Sequence, residues 1–144
     1  MNHEINFFNE HVNFRIHHKM ILRKWICSTI EMEGSKVVNI NFVLCDDEYL
    51  SVLNFKYLKH KTFTDILTFS LGGEDEMLLG DIFISMPRVK ENARIYKQKV
   101  EIELHRVMIH GILHMIGYND SSMEEKAQMK EREDFYLEKL KCFI

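Results

Sequence analysis

The sequence predicts an α+β fold, a small mixed β-sheet packed with about five α-helices. Three observations predict it. Strand-like and helix-like stretches are interleaved along the chain. Two neighbouring strand-like runs are separated only by the short segment GGEDEM, which suits an antiparallel hairpin. One later segment is apolar almost all round, as a helix buried on most sides must be.

In chain order, Ile5 to Phe8 reads as a short strand. His17 to Met32 carries Met20, Ile21, Trp25, Cys27 and Ile30, closer to a helical period than to alternation, and Gly34 stops it. Val37 to Cys45, rich in Val, Ile and Phe, is a strand. Asp46 and Asp47 then offer an N-cap to a helical segment bearing Leu50, Leu53, Phe55, Tyr57 and Leu58. The hairpin strands are Asp65 to Leu71 and Leu78 to Ser85, and Ser85 with Pro87 opens the next helix, because proline is tolerated in a first turn. Val100 to Ile116 is the buried helix. Its polar residues Glu103, Arg106, His110 and His114 follow at spacings of three, four and four, so they share one face. Ser121 to Phe143 closes the chain as an amphipathic helix, with Met123, Met129, Phe135, Leu137 and Leu140 expected toward the core.

Composition excludes several classes. With 46% hydrophobic and 28% charged residues, neither disorder nor a fibrous architecture is favoured. A chain of 144 residues has the size of one domain and can bury a core without staples. Cys27, Cys45 and Cys142 form no C-x-x-C pair and read as reduced packing residues. The acidic N-terminus lacks the pattern of a secretory signal and no apolar run approaches a membrane span, so a cytoplasmic protein without membrane partners is expected. A net charge of -3 gives no global attraction to a polyanion. Locally, Lys56, Lys59, His60 and Lys61 cluster without an acid, and Arg88, Lys90, Arg94, Lys97 and Lys99 are relieved only by Glu91. By themselves such runs read as solvated faces.

The chemistry lies in His110-Gly-Ile-Leu-His114-Met-Ile-Gly117-Tyr-Asn-Asp120. Four residues of helix turn the chain by about 400°, which stacks the two imidazoles on one side where one cation can bridge them. Gly117 can end the helix in a left-handed conformation, and the chain then doubles back to bring Asp120 to the same point. His110, His114 and Asp120 are thus expected to ligate one divalent metal ion, Zn²⁺ before others, with the site on the buried helix. Three ligands leave a fourth position for water, which the metal acidifies from about 15.7 toward neutrality. Asp120 makes the set harder and less selective against manganese or nickel. Residues 1–144 are accordingly expected to form a single metal-dependent hydrolase domain. Gly111 costs roughly 1 kcal/mol in a helix relative to alanine, and its expected use is the close approach of another backbone.

With these residues in view, the sequence resembles the YbeY family of metal-dependent endoribonucleases. Leu53-Asn54-x-x-Tyr57, then Thr64-Asp65-Ile66-Leu67-Thr68-Phe69, match the family's LNxxYR and PTDVLSF segments. Leu79-Gly80-Asp81-Ile82 matches its LGDI, and HGILHMIGYND its HGxLHLxGYDH. The resemblance implies single-strand-specific cleavage of RNA in the maturation of small-subunit ribosomal RNA and in ribosome quality control, with ribosomal RNA and ribosomal subunits as partners. It also implies that Lys56, Lys59 and Lys61 bind RNA, since cations near a scissile phosphate hold it and stabilise charge. Asp65 is a candidate to orient a ligand or take a proton, beside the alternative of a structural hydrogen bond at the strand start. The family pattern usually has histidine where Asp120 stands, Leu58 occupies the place of an arginine, and Phe63 that of a proline. The phosphate-binding role that the resemblance implies for that arginine would pass to Lys59, Lys61 or Arg88, or be lost.

Two other readings compete. The ligand spacing is also that of metzincin proteases, but these need a glutamate as general base where this chain has Gly111. A metalloprotease-like hydrolase is therefore second to a nuclease. The other is a non-catalytic ribosome-assembly factor in which the metal is structural.

Overall fold

The computed structural model describes residues 4–58, 65–70 and 77–144. Its elements are β1 (Glu4–Asn9), α1 (Lys19–Met32), β2 (Lys36–Cys45), α2 (Asp47–Leu53), a π-helical turn (Asn54–Leu58), β3 (Ile66–Ser70), β4 (Met77–Ser85), α3 (Met86–Ile95), α4 (Val100–Ile116) and α5 (Met123–Leu140). This is the expected α+β mixture. The strands form one sheet in the order β1-β2-β4-β3. β1 and β4 run parallel to β2, and β3 lies antiparallel on the edge of β4, with Ile66 opposite Ile84 and Phe69 opposite Asp81. The hairpin pairing is as expected, while residues 71–76 lie outside the described residues.

One sheet face carries Ile40, Phe42, Leu44, Ile82 and Ile84, all completely buried in the main core with α1 and α4. Each such side chain contributes roughly 1.5–3 kcal/mol of transfer free energy. The other face buries a smaller cluster, Cys45, Leu50 and Leu67, beneath α2. Asp46 caps α2 by accepting from the Tyr49 N–H at 2.8 Å, as the sequence suggested. Ser85 caps α3, its hydroxyl accepting from the Arg88 N–H at 3.4 Å.

α4 is the central helix. Leu104, Met108, Ile109, Ile112 and Leu113 are buried in the core, and α4 packs against β3, β4, α1, α3 and α5. Gly111 lets it lie close to the sheet, although not through a backbone contact. A Cβ there would stand 3.0 Å from the Ile66 Cδ1 and Ile82 Cγ2 atoms, so the close neighbours are side chains.

Three local expectations change. α1 starts at Lys19 because His18 adopts a left-handed conformation (φ 60°), and its buried stripe is Leu22, Trp25, Ile26, Thr29 and Ile30, leaving Met20 exposed. The segment after α2 widens into the π-helical turn, which turns Phe55 and Tyr57 outward. In α5, Met123 is 88% exposed and Phe135 is also exposed, whereas Met129, Glu133, Tyr136 and Leu140 face inward. The physical reason is that Tyr136 has polar partners for its position in the core. Its carbonyl accepts from the Trp25 indole N–H at 2.8 Å, and its hydroxyl donates to Glu33. Among the described residues, no helix is long and apolar enough to cross a membrane.

Candidate metal centre

His110 and His114 stand one turn apart on α4, their ring centroids 4.5 Å from each other. The helix ends at Gly117, whose φ of 128° is a conformation that other residues adopt only under strain. Its N–H donates to the carbonyls of Leu113 and His114 at 3.1 Å, and the Tyr118 N–H donates to Leu113 at 3.0 Å. Tyr118 then anchors the returning loop, its hydroxyl donating to Glu33 at 2.8 Å. Asp120 is thereby delivered to the histidines: its Oδ2 lies 3.4 Å from His110 Nε2 and 3.2 Å from His114 Nε2.

The donor atoms of the three residues all lie within 4.8 Å of one another, so this cluster could hold a metal ion. The donor set passes a simple fit test. Tetrahedral ligands at about 2.0–2.1 Å from zinc are separated by roughly 3.4 Å, and the two carboxylate-to-imidazole separations, 3.2 and 3.4 Å, match that edge.

Glu133 of α5 completes the arrangement. Its Oε2 lies 2.6 Å from His110 Nδ1, while its Oε1 accepts from Arg106 at 2.9 Å. A carboxylate already held by a guanidinium accepts the Nδ1–H, which leaves the Nε2 lone pair facing Asp120 and His114. Arg106 is itself fixed, donating also to Asp134 at 2.7 Å. Burial alone disfavours a charged His110 ring, but the Glu133 hydrogen bond and the charges of Glu133, Asp120 and Asp65 outweigh it and raise its pKa. Sequence reasoning missed Glu133. A signal existed: it falls on the stripe Met129, Glu133, Tyr136, Leu140, a carboxylate at helical spacing among core residues.

Two cavities flank the cluster and share Asp65, Ile66 and His110. One, of about 520 Å³, also contains His114, Asp120, Thr68 and Ser70 in its wall. The other, of about 610 Å³, extends between α3, α4 and α5. Asp65 is thus brought to the site, and its backbone carbonyl accepts from the Ser85 N–H at 2.9 Å, a ladder bond independent of the side chain. Arg88 lies at the start of α3 with its Nε 3.2 Å from Asp47, outside the walls of these two cavities. Lys56 is exposed, its Nζ 5.4 Å from the Tyr57 ring centroid, and is likewise outside those walls. Lys59 and Lys61, like Phe63, lie outside the described residues.

A family profile described as "Endoribonuclease YbeY" matches residues 4–141. The chain belongs to the YbeY family. Among curated members, it is 40% identical to Endoribonuclease YbeY of Amoebophilus asiaticus, over 92% of this chain and 90% of that one. It is 44% identical to the protein of the same name from Christiangramia forsetii, over 91% and 90%. The solution structure of TM1509 from Thermotoga maritima has a similar fold, with a TM-score of 0.64 and 28% identity over 94% of this chain and 88% of that one. Within this YbeY chain the LGDI motif has a clear packing role. Gly80 faces the Phe69 carbonyl so closely that a Cβ would collide with it. Asp81 accepts from Asn41 at 2.9 Å, and Asn41 from Asn6 at 3.1 Å, tying three strands together.

Proposed function

We propose that this chain is a metal-dependent endoribonuclease that cuts single-stranded RNA, with His110, His114 and Asp120 holding one divalent ion, Zn²⁺ before others. The reading takes residues 1–144 as a single hydrolase domain. The convergence of two imidazoles and one carboxylate, beside two open cavities in a chain of the YbeY family, carries it. When bound, such an ion supplies Lewis acidity toward a phosphoryl oxygen and makes water a competent nucleophile near neutral pH.

The residues of the chain do the rest. Glu133 fixes the His110 tautomer, and Arg106, donating to Glu133 at 2.9 Å, holds that carboxylate in place. Asp65 is our candidate to accept a proton from the attacking nucleophile, a reading supported by its position in the wall shared by both cavities. Lys56, Lys59 and Lys61, which flank the segment leading to Asp65, are assigned to the RNA backbone. The arginine role left open by Leu58 falls to Lys59 and Lys61 rather than Arg88, whose guanidinium is engaged by Asp47. The substrate assigned by family resemblance is ribosomal RNA during small-subunit maturation and quality control, in the cytoplasm and in contact with ribosomal subunits.

A specific observation argues against a peptidase. Position 111, where metzincins carry their base, faces Ile66 and Ile82 of the sheet. The test is cleavage of a labelled single-stranded RNA by zinc-loaded protein, before and after chelation, beside casein as a peptide substrate. Metal-dependent RNA cleavage that vanishes in His114→Ala supports the reading. Casein hydrolysis that vanishes in the same variant favours the peptidase, and no turnover on either substrate favours a non-catalytic assembly factor.

A further inference from the structure

We infer that the larger cavity beside the metal cluster is a nucleobase subsite, receiving one unstacked base of the RNA next to the bond that is cut. This rests on the endoribonuclease reading and adds to it a place where the substrate's base is held. The cavity is walled by the C-terminal end of α3, the first half of α4 and the middle of α5, and holds about 610 Å³. That is within the range of about 300–1,000 Å³ typical of small-molecule sites. Its chemistry suits a base better than a phosphate or a lipid chain. Ile66 and Ile102 give an apolar floor, Tyr96 an aromatic face, and Asn92 and Gln98 two amides, each able to donate and accept. Single-stranded RNA is recognised in this way, by bases splayed onto aromatic rings and hydrogen-bonded along their edges.

A further observation points to a ligand. Tyr96 is 64% and Ile102 41% exposed, so a large ring and a large aliphatic group line the cavity largely uncovered among the described residues. The loop that presents Tyr96 and Gln98 is held in place. Lys97 has a φ of 54° where glycine would be relaxed, and the turn is closed by Gln98 N–H to Ala93 at 2.8 Å and Lys97 N–H to Arg94 at 3.3 Å. This is the usual Schellman closure of a helix end, and it fixes where Tyr96 and Gln98 leave α3.

Charge completes the fit. The wall also carries the carboxylates of Asp65, Glu103 and Glu133, of which Glu133 is paired with Arg106, so it favours an uncharged base over a phosphate, and Lys130 is the wall cation not committed to Glu133 and Asp134. His110 and Asp65 belong to both cavities, so a base seated in the larger one places its sugar-phosphate toward the ligand cluster in the smaller.

The test has two arms. In the first, zinc-loaded protein is titrated with adenosine, cytidine and uridine, and amide shifts are followed by NMR. Nucleosides lack the phosphate that would seek the metal. Shifts concentrated at Asn92, Tyr96, Gln98 and Ile102 are expected, and Tyr96→Ala should abolish them. No shift at millimolar nucleoside, or shifts elsewhere only, overturns the proposal. In the second arm, single-stranded RNA cleavage is compared in wild type, Tyr96→Ala and Tyr96→Phe. Loss of one base stack should raise KM by about tenfold in the alanine variant with kcat nearly held, and phenylalanine should restore it. An unchanged KM in Tyr96→Ala overturns the subsite while leaving the endoribonuclease reading intact. If wild type cuts no RNA, that reading fails, and the nucleoside titration still decides whether the cavity binds a base.

Discussion

Glu133→Gln is the sharpest probe of the centre, because it replaces one carboxylate oxygen by an amide nitrogen and leaves the volume almost unaltered. The parent carboxylate accepts twice, from His110 Nδ1 at 2.6 Å and from Arg106 at 2.9 Å, with only 9% of its side chain exposed. A glutamine offers one acceptor and one donor to the same two donors. If its oxygen turns to Arg106, its NH₂ faces His110 and forces the proton to Nε2, the nitrogen needed by the metal. If its oxygen turns to His110, a half-buried guanidinium N–H meets an amide N–H. Losing a charge-assisted hydrogen bond costs about 1.5–3 kcal/mol, and losing the outer partner of a metal-binding histidine typically costs 10–100-fold in affinity. The two ranges overlap near 2 kcal/mol, or roughly 30-fold. Zinc affinity is measured by competition with a chromogenic chelator, with circular dichroism to establish that the variant is folded. A folded Glu133→Gln protein with parental zinc affinity would refute the assignment of Glu133 as the residue that orients His110.

Asp120→Ala should weaken metal binding by more than about 100-fold, beyond the loss of an outer partner, and Asp120→His should restore it by returning a third ligand. An alanine variant of parental affinity would reduce this carboxylate to a loop residue and place the third ligand elsewhere. Glu103 carries a prediction about pH. Burial, opposed by Arg106 but reinforced by Asp65 and Glu133, raises its pKa above the ordinary carboxylate value. The folded state therefore holds this proton more tightly than the unfolded one, so its contribution is full below the unfolded pKa of Glu103 and is lost as pH rises through the folded one. Glu103→Gln should flatten that part of the urea-unfolding profile between pH 4 and 8, measured with chelator present, and an unchanged slope would count against it.

The fold and the metal cluster were legible for different reasons. Period and punctuation located the elements, because each strand and helix of this chain has a buried face and must signal it: Val37 to Cys45 and Val100 to Ile116 correspond closely to β2 and α4. His110, His114 and Asp120 were legible because their convergence depends on one helix and one glycine turn, both local in sequence. What lay hidden was non-local. Glu133 and Glu33 reach the site from 23 and 85 residues away, through the packing of α5 and α1 around α4. No spacing rule relates such positions. The apolar count of α5 misled for a related reason, since Tyr136 and Glu133 are inside because they have polar partners there, while Met123 and Phe135 face solvent. A glycine inside α4 signals a close approach at position 111, but whether backbone or side chain approaches depends on the strand beneath it.

The two glycines of the segment from His110 to Asp120 should separate stability from ligation. At Gly117 an added Cβ meets nothing within 4 Å, so alanine is opposed only by the backbone, whose φ of 128° disfavours an L side chain. A cost of about 1–2 kcal/mol is expected. Relief of that strain must move the turn between His114 and Asp120, so metal affinity should fall with stability. At Gly111 the backbone is helical and the obstacle is space. A methyl group would sit 3.0 Å from Ile66 Cδ1 and 3.0 and 3.2 Å from two carbons of Ile82. The gain of about 1 kcal/mol in helix propensity opposes an overpacking cost of about 1–3 kcal/mol. The balance is destabilising by about 1 kcal/mol, since Ile82 is completely buried in an interior strand and has little room to yield. Here, however, α4 can shift from the sheet as a unit, carrying His110, His114 and the Gly117 turn together, so the ligand set should survive. Unfolding must be measured in chelator, because bound metal would add its own linkage to the apparent stability. Both variants should then unfold more easily than the parent, and only Gly117→Ala should lose zinc affinity. A Gly117→Ala protein that binds zinc as the parent does would show that the turn does not set the position of Asp120.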